Sequence, residues 1–537
     1  MKKLLGHIIA GSLTEGFVMR IEQSVNIEEI KTGKFVSVTG KSNIFFSLIT
    51  DVKLEVSNPD ILLLPPGPDE KLLTSVLSNH NIYATAMIRP MLMLDIQKHP
   101  MPVKSIPAHF CPVFEADAKD VALIFGDEHE ATQRYFNVGH PLDMDTPVCI
   151  DLERLVERSN GIFGKTGTGK TFLTRLVLAG LIKQDKAVNL IFDMHSEYGL
   201  QARQEGGNKS FVKGLKTLFP DKVAIFSLDP TSTRRRGSSP DIDIVLSYQS
   251  VHVEDIISLE HELNLHPTAL EAAYLIAAQY KADWLAVLLQ QGDSIKEFAT
   301  SIGAHPESIA ALYRKLKRIE QLPFFINHKA SGAYKHEDVI DRMIEYIDKG
   351  ISITIEFGNF TSTFCYLLIA NIITRRIHTE YIKKTEKFLG SQNAADEPKK
   401  LMITIEEAHK FLNPSAARQT IFGTIAREMR KYYVSLLVVD QRPSGIEPEI
   451  LSQIGTKIIA QLNDERDIQA VLIGASNANN LRSILASLDT KKQALLLGHA
   501  LAMPVVVQTR EYDESFYRAM GAEVTATQID ALIKELF

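Results

Sequence analysis

Residues 164–171 read Gly-Lys-Thr-Gly-Thr-Gly-Lys-Thr, an arrangement of glycine, lysine and threonine suited to gripping the phosphates of a nucleotide. Gly164, Gly167 and Gly169 let the backbone come close to the anion, and the amides of such a turn, at the positive end of a helix, face it. Lys165, Thr166 and Thr168 complete the loop. Lys170 is placed to reach the β- and γ-phosphates, and the Thr171 hydroxyl to ligate magnesium. The octapeptide follows the apolar Gly161-Ile162-Phe163 and opens a helical pattern at Phe172, Leu176 and Leu181, the strand–loop–helix context that this chemistry requires. Phe172 and the upstream cation Arg158 join the candidate nucleotide contacts. ATP and Mg2+ are the expected ligands.

Further along the chain, the apolar run Leu401–Ile405 ends in Glu406 and Glu407. Beside a phosphate loop, one such carboxylate orients magnesium, partly through water, and the other polarises the attacking water. We assign the metal to Glu406 and the water to Glu407. A second acidic group, Asp193-Met194-His195-Ser196-Glu197-Tyr198, ends the strand expected after the phosphate-loop helix. Neighbouring strand ends of a doubly wound sheet converge on one crevice, so Asp193 and Glu197 are expected to reach the metal, its waters or a neighbouring subunit. His195 has no second histidine or cysteine at ligand spacing and reads as a hydrogen-bonding residue.

Gln441 ends the run Val434–Val439 and is a candidate sensor of the γ-phosphate. Arg427 and Arg430 stand three apart on the helix expected over Ile421–Tyr432, opposite its apolar positions, and are candidates for an arginine finger acting on a neighbour's nucleotide. Arg234, Arg235 and Arg236, with Lys209 and Lys213, either touch a phosphate backbone or decorate a solvated loop.

The elements that must position these groups follow from periodicity. Residues 1–115 carry short alternating runs (Phe17–Ile21, Phe35–Val38, Ile44–Ile49, Tyr83–Ile88), which predict a small β-barrel. Prolines at 90, 100, 102, 107 and 112 predict an irregular connector. Strand–helix alternation then predicts an α/β core with a buried parallel sheet in two parts, 116–240 and 331–500. Its strands are expected at Val188–Asp193, Val223–Leu228, Ile351–Phe357, Leu401–Ile405, Val434–Val439 and Lys457–Leu462. A helical-bundle insertion is predicted at 241–330, with capping-box spacing at Ser294 and Glu297 and an apolar stripe at Ile309, Leu312, Leu316 and Ile319. A C-terminal strand and helix fill 501–537.

The 537 residues imply several domains, and 45% hydrophobic with 23% charged residues imply globular cores. Three scattered cysteines suggest neither a disulfide framework nor a zinc site, and fit a reducing cytoplasm. Phe364–Ile373 is too short for a membrane span and reads as a buried helix. A net charge of −6 excludes a uniformly basic surface but not a local positive channel.

Four blocks give the chain a resemblance to the HerA family of hexameric DNA-translocating ATPases, relatives of the FtsK motors. They are Gly164–Thr171; Asp193 to Tyr198; Glu406-Glu407-Ala408-His409; and 425–431 followed by Gln441-Arg442-Pro443-Ser444. The resemblance implies a RecA/FtsK-like P-loop core in a homo-hexamer around double-stranded DNA. It also implies a motor whose N-terminal barrel docks a partner nuclease or another effector, as in some bacterial antiviral defence systems. Met429 replaces a usual glycine, and Gln461 stands where a strand-end arginine is common. The alternative is an ATP-gated ring scaffold that activates a partner without translocation. A transporter ATPase would carry a Leu-Ser-Gly-Gly-Gln signature, which this chain lacks.

Overall fold

The computed structural model describes residues 2–58, 60, 63, 81–95, 97, 99–203, 211–327, 338–418, 420–428, 431–475, 478–488 and 492–521. The chain divides into two compact units, Met1–Asp151 with Gln493–Arg510, and Leu152–Lys492 with Glu511–Phe537.

In the first unit, β1 (Leu4–Ser12), β2 (Gly16–Ile21), β3 (Phe35–Thr39), β4 (Ile44–Val56), β5 (Ile82–Leu94), β6 (Pro100–Met101) and β7 (Pro112–Glu115) form an antiparallel sheet. It runs in the order β2-β1-β7-β3-β4-β5-β6, and a β2–β5 pairing closes six of its strands into a barrel. Alternate side chains turn inward, so Leu5, Phe17, Val36, Phe45, Ile88 and Val113 build its interior. Pro90 lies inside β5 opposite Ser47, at a register shift where a missing N–H is tolerated, so the irregular connector begins later than the prolines suggest. The antiparallel strands β8 (Tyr135–Pro141) and β9 (Val148–Asp151) complete this unit with the strand pair Gln493–Gly498 and Val505–Thr509. Those four strands take 493–510 into the first unit, where the sequence reading had divided this stretch between the core and a C-terminal segment.

The main sheet of the second unit has, among the described residues, the parallel strands β10 (Asn160–Phe163), β11 (Val188–Asp193), β12 (Val223–Ser227), β13 (Ile242–Asp243), β14 (Ser352–Glu356), β15 (Leu401–Glu406), β16 (Val434–Asp440) and β17 (Thr456–Ile459). Their order is β13-β12-β14-β11-β15-β16-β10-β17. Every residue of β10, β11, β14, β15 and β16 is buried, as expected of strands covered on both faces. Each fully buried Val, Ile, Leu or Phe there contributes about 1.5–3 kcal/mol relative to exposure. Helix α1 (Lys170–Lys183) follows β10, and α2 (Thr363–Ser391) buries Phe364–Thr374. Among the described residues no helix is long and apolar enough to cross a membrane.

The helices between 253 and 316 surround the buried Trp284, whose indole N–H donates to Val251 O at 2.8 Å, and the apolar stripe from Ile309 to Ile319 is wholly buried. Arg375 on α2 forks onto Asp255 at 2.9 and 2.8 Å and ties this bundle to the sheet's helical layer. Ser294 does not form the expected capping box. Its hydroxyl donates to Gln291 O at 2.7 Å instead. Cys111, Cys149 and Cys365 are free thiols, all buried.

Candidate nucleotide site

Gly164 carries the chain out of β10, its N–H bonded to Asp440 O at 3.2 Å, while Lys165 N–H bonds Gln461 O at 3.0 Å. The loop thus hangs from the ends of the strands on either side. The Thr168 hydroxyl and the Lys170 ammonium both donate to Lys165 O, at 2.8 and 3.1 Å, and close the turn. Gly167 and Gly169 have φ of +80° and +89°, a left-handed conformation that suits glycine, and a Cβ at either would meet nothing within 4 Å. The loop therefore opens outward. Gly169, the N-cap of α1, has no side chain to cap the helix, whose start is suited to an anion.

The order of the strands gathers the acidic groups. Glu356, Asp193, Glu406 and Asp440 end β14, β11, β15 and β16, four adjacent strands, and β10 delivers the phosphate loop beside Asp440. Each carboxylate is held differently. The Tyr198 hydroxyl donates to Glu406 Oε1 at 2.7 Å, while Oε2 is buried without a partner among the described residues. Burial, and then the neighbouring Asp193, pushes the Glu406 carboxyl up to about 8. A buried, half-satisfied carboxylate one strand from the phosphate loop's neighbour fits a divalent cation, whose charge would offset that desolvation. The backbone of Glu406 is fixed as well, since Tyr366 Oη accepts its N–H at 3.1 Å and donates to its carbonyl at 3.2 Å.

Asp193 is engaged otherwise than the sequence suggests. Its oxygens accept the N–H groups of Glu197, Tyr198 and Gly199 at 2.8, 2.9 and 3.3 Å, so it organises its own loop. Burial pushes it up to about 6. Ser196, at φ +56°, turns that loop back onto the carboxylate. Glu197 lies at the phosphate loop, accepting from Thr171 Oγ1 at 2.8 Å. His195 is exposed.

Glu407 and Gln441 are in contact: Gln441 Nε2 donates to both Glu407 oxygens, at 3.0 and 3.3 Å, and Gln441 Oε1 accepts from Thr166 Oγ1 at 2.6 Å. A hydrogen-bonded chain therefore runs from the phosphate loop to Glu407. Glu407 has φ +50°, a conformation that costs a non-glycine residue about 1–3 kcal/mol and persists only where the surroundings impose it. It turns the chain off β15 into the short helix His409–Leu412.

The remaining candidates are dispersed. Arg158 precedes β10, at the strand end away from the phosphate loop, with its stem against Gly455. Phe172 is half-buried, edge-to-face with Tyr512 at 5.6 Å. Arg427 lies on α3 (Ile421–Glu428), donating to Ala417 O at 3.1 Å and standing 3.7 Å from Glu449. That helix is described only to Glu428, so Arg430 and Met429 lie outside the described residues, as does Lys209. Arg236 is committed to the buried Glu356, whereas Arg234 and Arg235 are exposed. Lys213 stacks 4.9 Å above the Tyr517 ring. The sequence reading gave no role to Tyr366, His409, Asp440 or Glu356. Of these, Asp440 stands next to Gln441, and His409 closes the block that holds Glu406 and Glu407.

Comparison with known proteins agrees with this geometry. The family described as "Helicase HerA, central domain" matches residues 136–377. The DNA double-strand break repair helicase HerA of Sulfurisphaera tokodaii is 24% identical over 523 residues, 95% of this chain and 93% of the relative. Residues 136–377 are thus similar to the HerA central domain, and the chain as a whole to a HerA helicase. The HerA of Pyrococcus furiosus is 23% identical over 68% of each chain. Among solved structures, VirB4 of Thermoanaerobacter pseudethanolicus covers 71% of this chain and 98% of its own at 13% identity and a TM-score of 0.45. With that similarity and this P-loop sheet, the protein is an ATPase.

Proposed function

We propose that this chain is a HerA-type, hexameric, ATP-driven motor on double-stranded DNA that serves a partner nuclease or other effector docked on its barrel face, in the cytoplasm. The observation that carries the catalytic half is the chain Thr166–Gln441–Glu407, which sets the phosphate loop and an acidic strand end a single amide apart. In this reading the amides of 164–171 and the Lys170 ammonium hold the triphosphate of ATP, with Phe172 beside them. Thr171 and Glu406 hold magnesium, whose charge would neutralise the phosphate oxygens. Glu407 takes the proton of the water that attacks the γ-phosphorus as the bond to the β-phosphate oxygen breaks. Gln441, bonded to both the loop and Glu407, registers the change in the γ-phosphate. Arg427 and Arg430 act on a neighbouring subunit's nucleotide. Glu197 steadies Thr171, Asp193 shapes the loop bearing Glu197, and Arg158 contributes from behind the sheet.

The DNA half rests on the relatives, named as DNA repair helicases. Its test is ATP turnover with and without duplex, together with displacement of a DNA-bound block. The motor predicts turnover stimulated by duplex and directional displacement that requires Lys170. A partner activated at full strength without DNA, and no displacement, would favour the ring scaffold.

A further inference from the structure

Asp440 ends β16 with its side chain wholly buried. Its partners are the His409 N–H at 2.6 Å, the Arg442 N–H at 2.6 Å and the His409 ring, with Nδ1 at 3.0 and 3.1 Å from its two oxygens. A carboxylate accepts only, so Nδ1 carries the hydrogen and the opposite nitrogen, Nε2, is directed outward. That nitrogen stands 3.7 Å from Glu407 Oε2. Two cross-links therefore join the ends of β15 and β16, His409 to Asp440 and Gln441 to Glu407, and they run in opposite directions between the strands. Between them lies Glu407 in its left-handed conformation, its carbonyl accepting from Lys410 N–H at 2.8 Å.

We infer that His409, clamped by Asp440, is a positioning residue that fixes the turn and the carboxylate orientation of Glu407 for hydrolysis. The inference rests on the reading of Glu407 as the base. Gly445 N–H bonds Arg442 O, and Gly445 lies beside His409, where an added Cβ would come within 3.1 Å of the His409 Cβ, so the backbone approaches closely there. Asp440 also holds the imidazole's proton more firmly than usual through that hydrogen bond. Groups that position others by hydrogen bonds alter rate more than substrate affinity, and misplacement by an ångström costs roughly 10²-fold.

The test compares His409→Ala, His409→Asn, Asp440→Asn and His409→Ala/Asp440→Asn with Glu407→Gln, measuring kcat, KM for ATP and nucleotide binding. His409→Ala is expected to lower kcat roughly tenfold to 10²-fold with KM within about twofold. His409→Asn, which keeps a donor at the Nδ1 position, is expected to recover most of that loss. The double variant is expected to be no slower than the worse single one. Turnover of His409→Ala within about twofold of the parent, or additive losses in the double variant, would overturn the inference. Should Asp440→Asn fail to fold, His409→Ala against His409→Asn decides it, since equal losses in the two would also overturn it. An inactive Glu407→Gln beside an unimpaired His409→Ala removes this inference alone, whereas an active Glu407→Gln removes the reading beneath it.

Discussion

Glu406 owes its character to a residue far away in the chain. Tyr198, itself fully buried, donates the one hydrogen bond its carboxylate receives among the described residues, and that bond draws the Glu406 carboxyl down against the upward push of burial. Tyr198→Phe removes the donor and leaves the carboxylate with neither oxygen satisfied, so Glu406 holds its proton to higher pH. Cation binding needs the ionised form. The acidic limb of the ATPase pH profile should therefore move to higher pH in Tyr198→Phe, and the magnesium requirement at neutral pH should rise. A limb unmoved by the substitution would show that Glu406 ionisation does not limit turnover. The sequence marks Glu406 and Glu407 as a pair of carboxylates, but it cannot show which is buried. The tyrosine contact spans 208 positions, and the φ of Glu407 is imposed by tertiary contacts.

Strands were the most legible elements, because an apolar run bounded by polar turns has one stable place in a protein covered on both faces. Val188–Asp193 is observed with the ends read from sequence, and Leu401–Ile405 and Val434–Val439 each gain one residue. Asp193 was harder. A carboxylate at a strand end looks the same in sequence whether it faces a metal or the amides of its own loop, and the left-handed Ser196 decided for the amides. Helix α3 shows why a helix carrying a candidate finger needs its glycine. A Cβ on Gly423 would stand 1.7 Å from Ala417 O, the same carbonyl that accepts from Arg427. Gly423→Ala must push the helix from that carbonyl, at a cost of about 1–3 kcal/mol. Thermal unfolding should show a lowered Tm, with ATP turnover lost at temperatures where the variant is still folded. An unchanged Tm would mean that the helix relaxes freely and that its placement is not tight.

At the scale of the molecule, the parallel sheet arranges four acidic strand ends in a row and ends the row at the phosphate loop. A net charge of −6 leaves DNA binding to local cationic surface, which composition could neither place nor exclude. The oligomer and the partner were likewise illegible from residues alone, since rings and scaffolds require the same pocket. The proposed function requires one hydrolytic centre in which the loop binds and Glu407 activates water. A single-turnover experiment with limiting ATP and excess Glu407→Gln enzyme tests it most directly. The account predicts that this variant binds ATP with magnesium as the parent does and cleaves it more slowly by roughly 10²-fold or more. Cleavage at the parent's rate would contradict it.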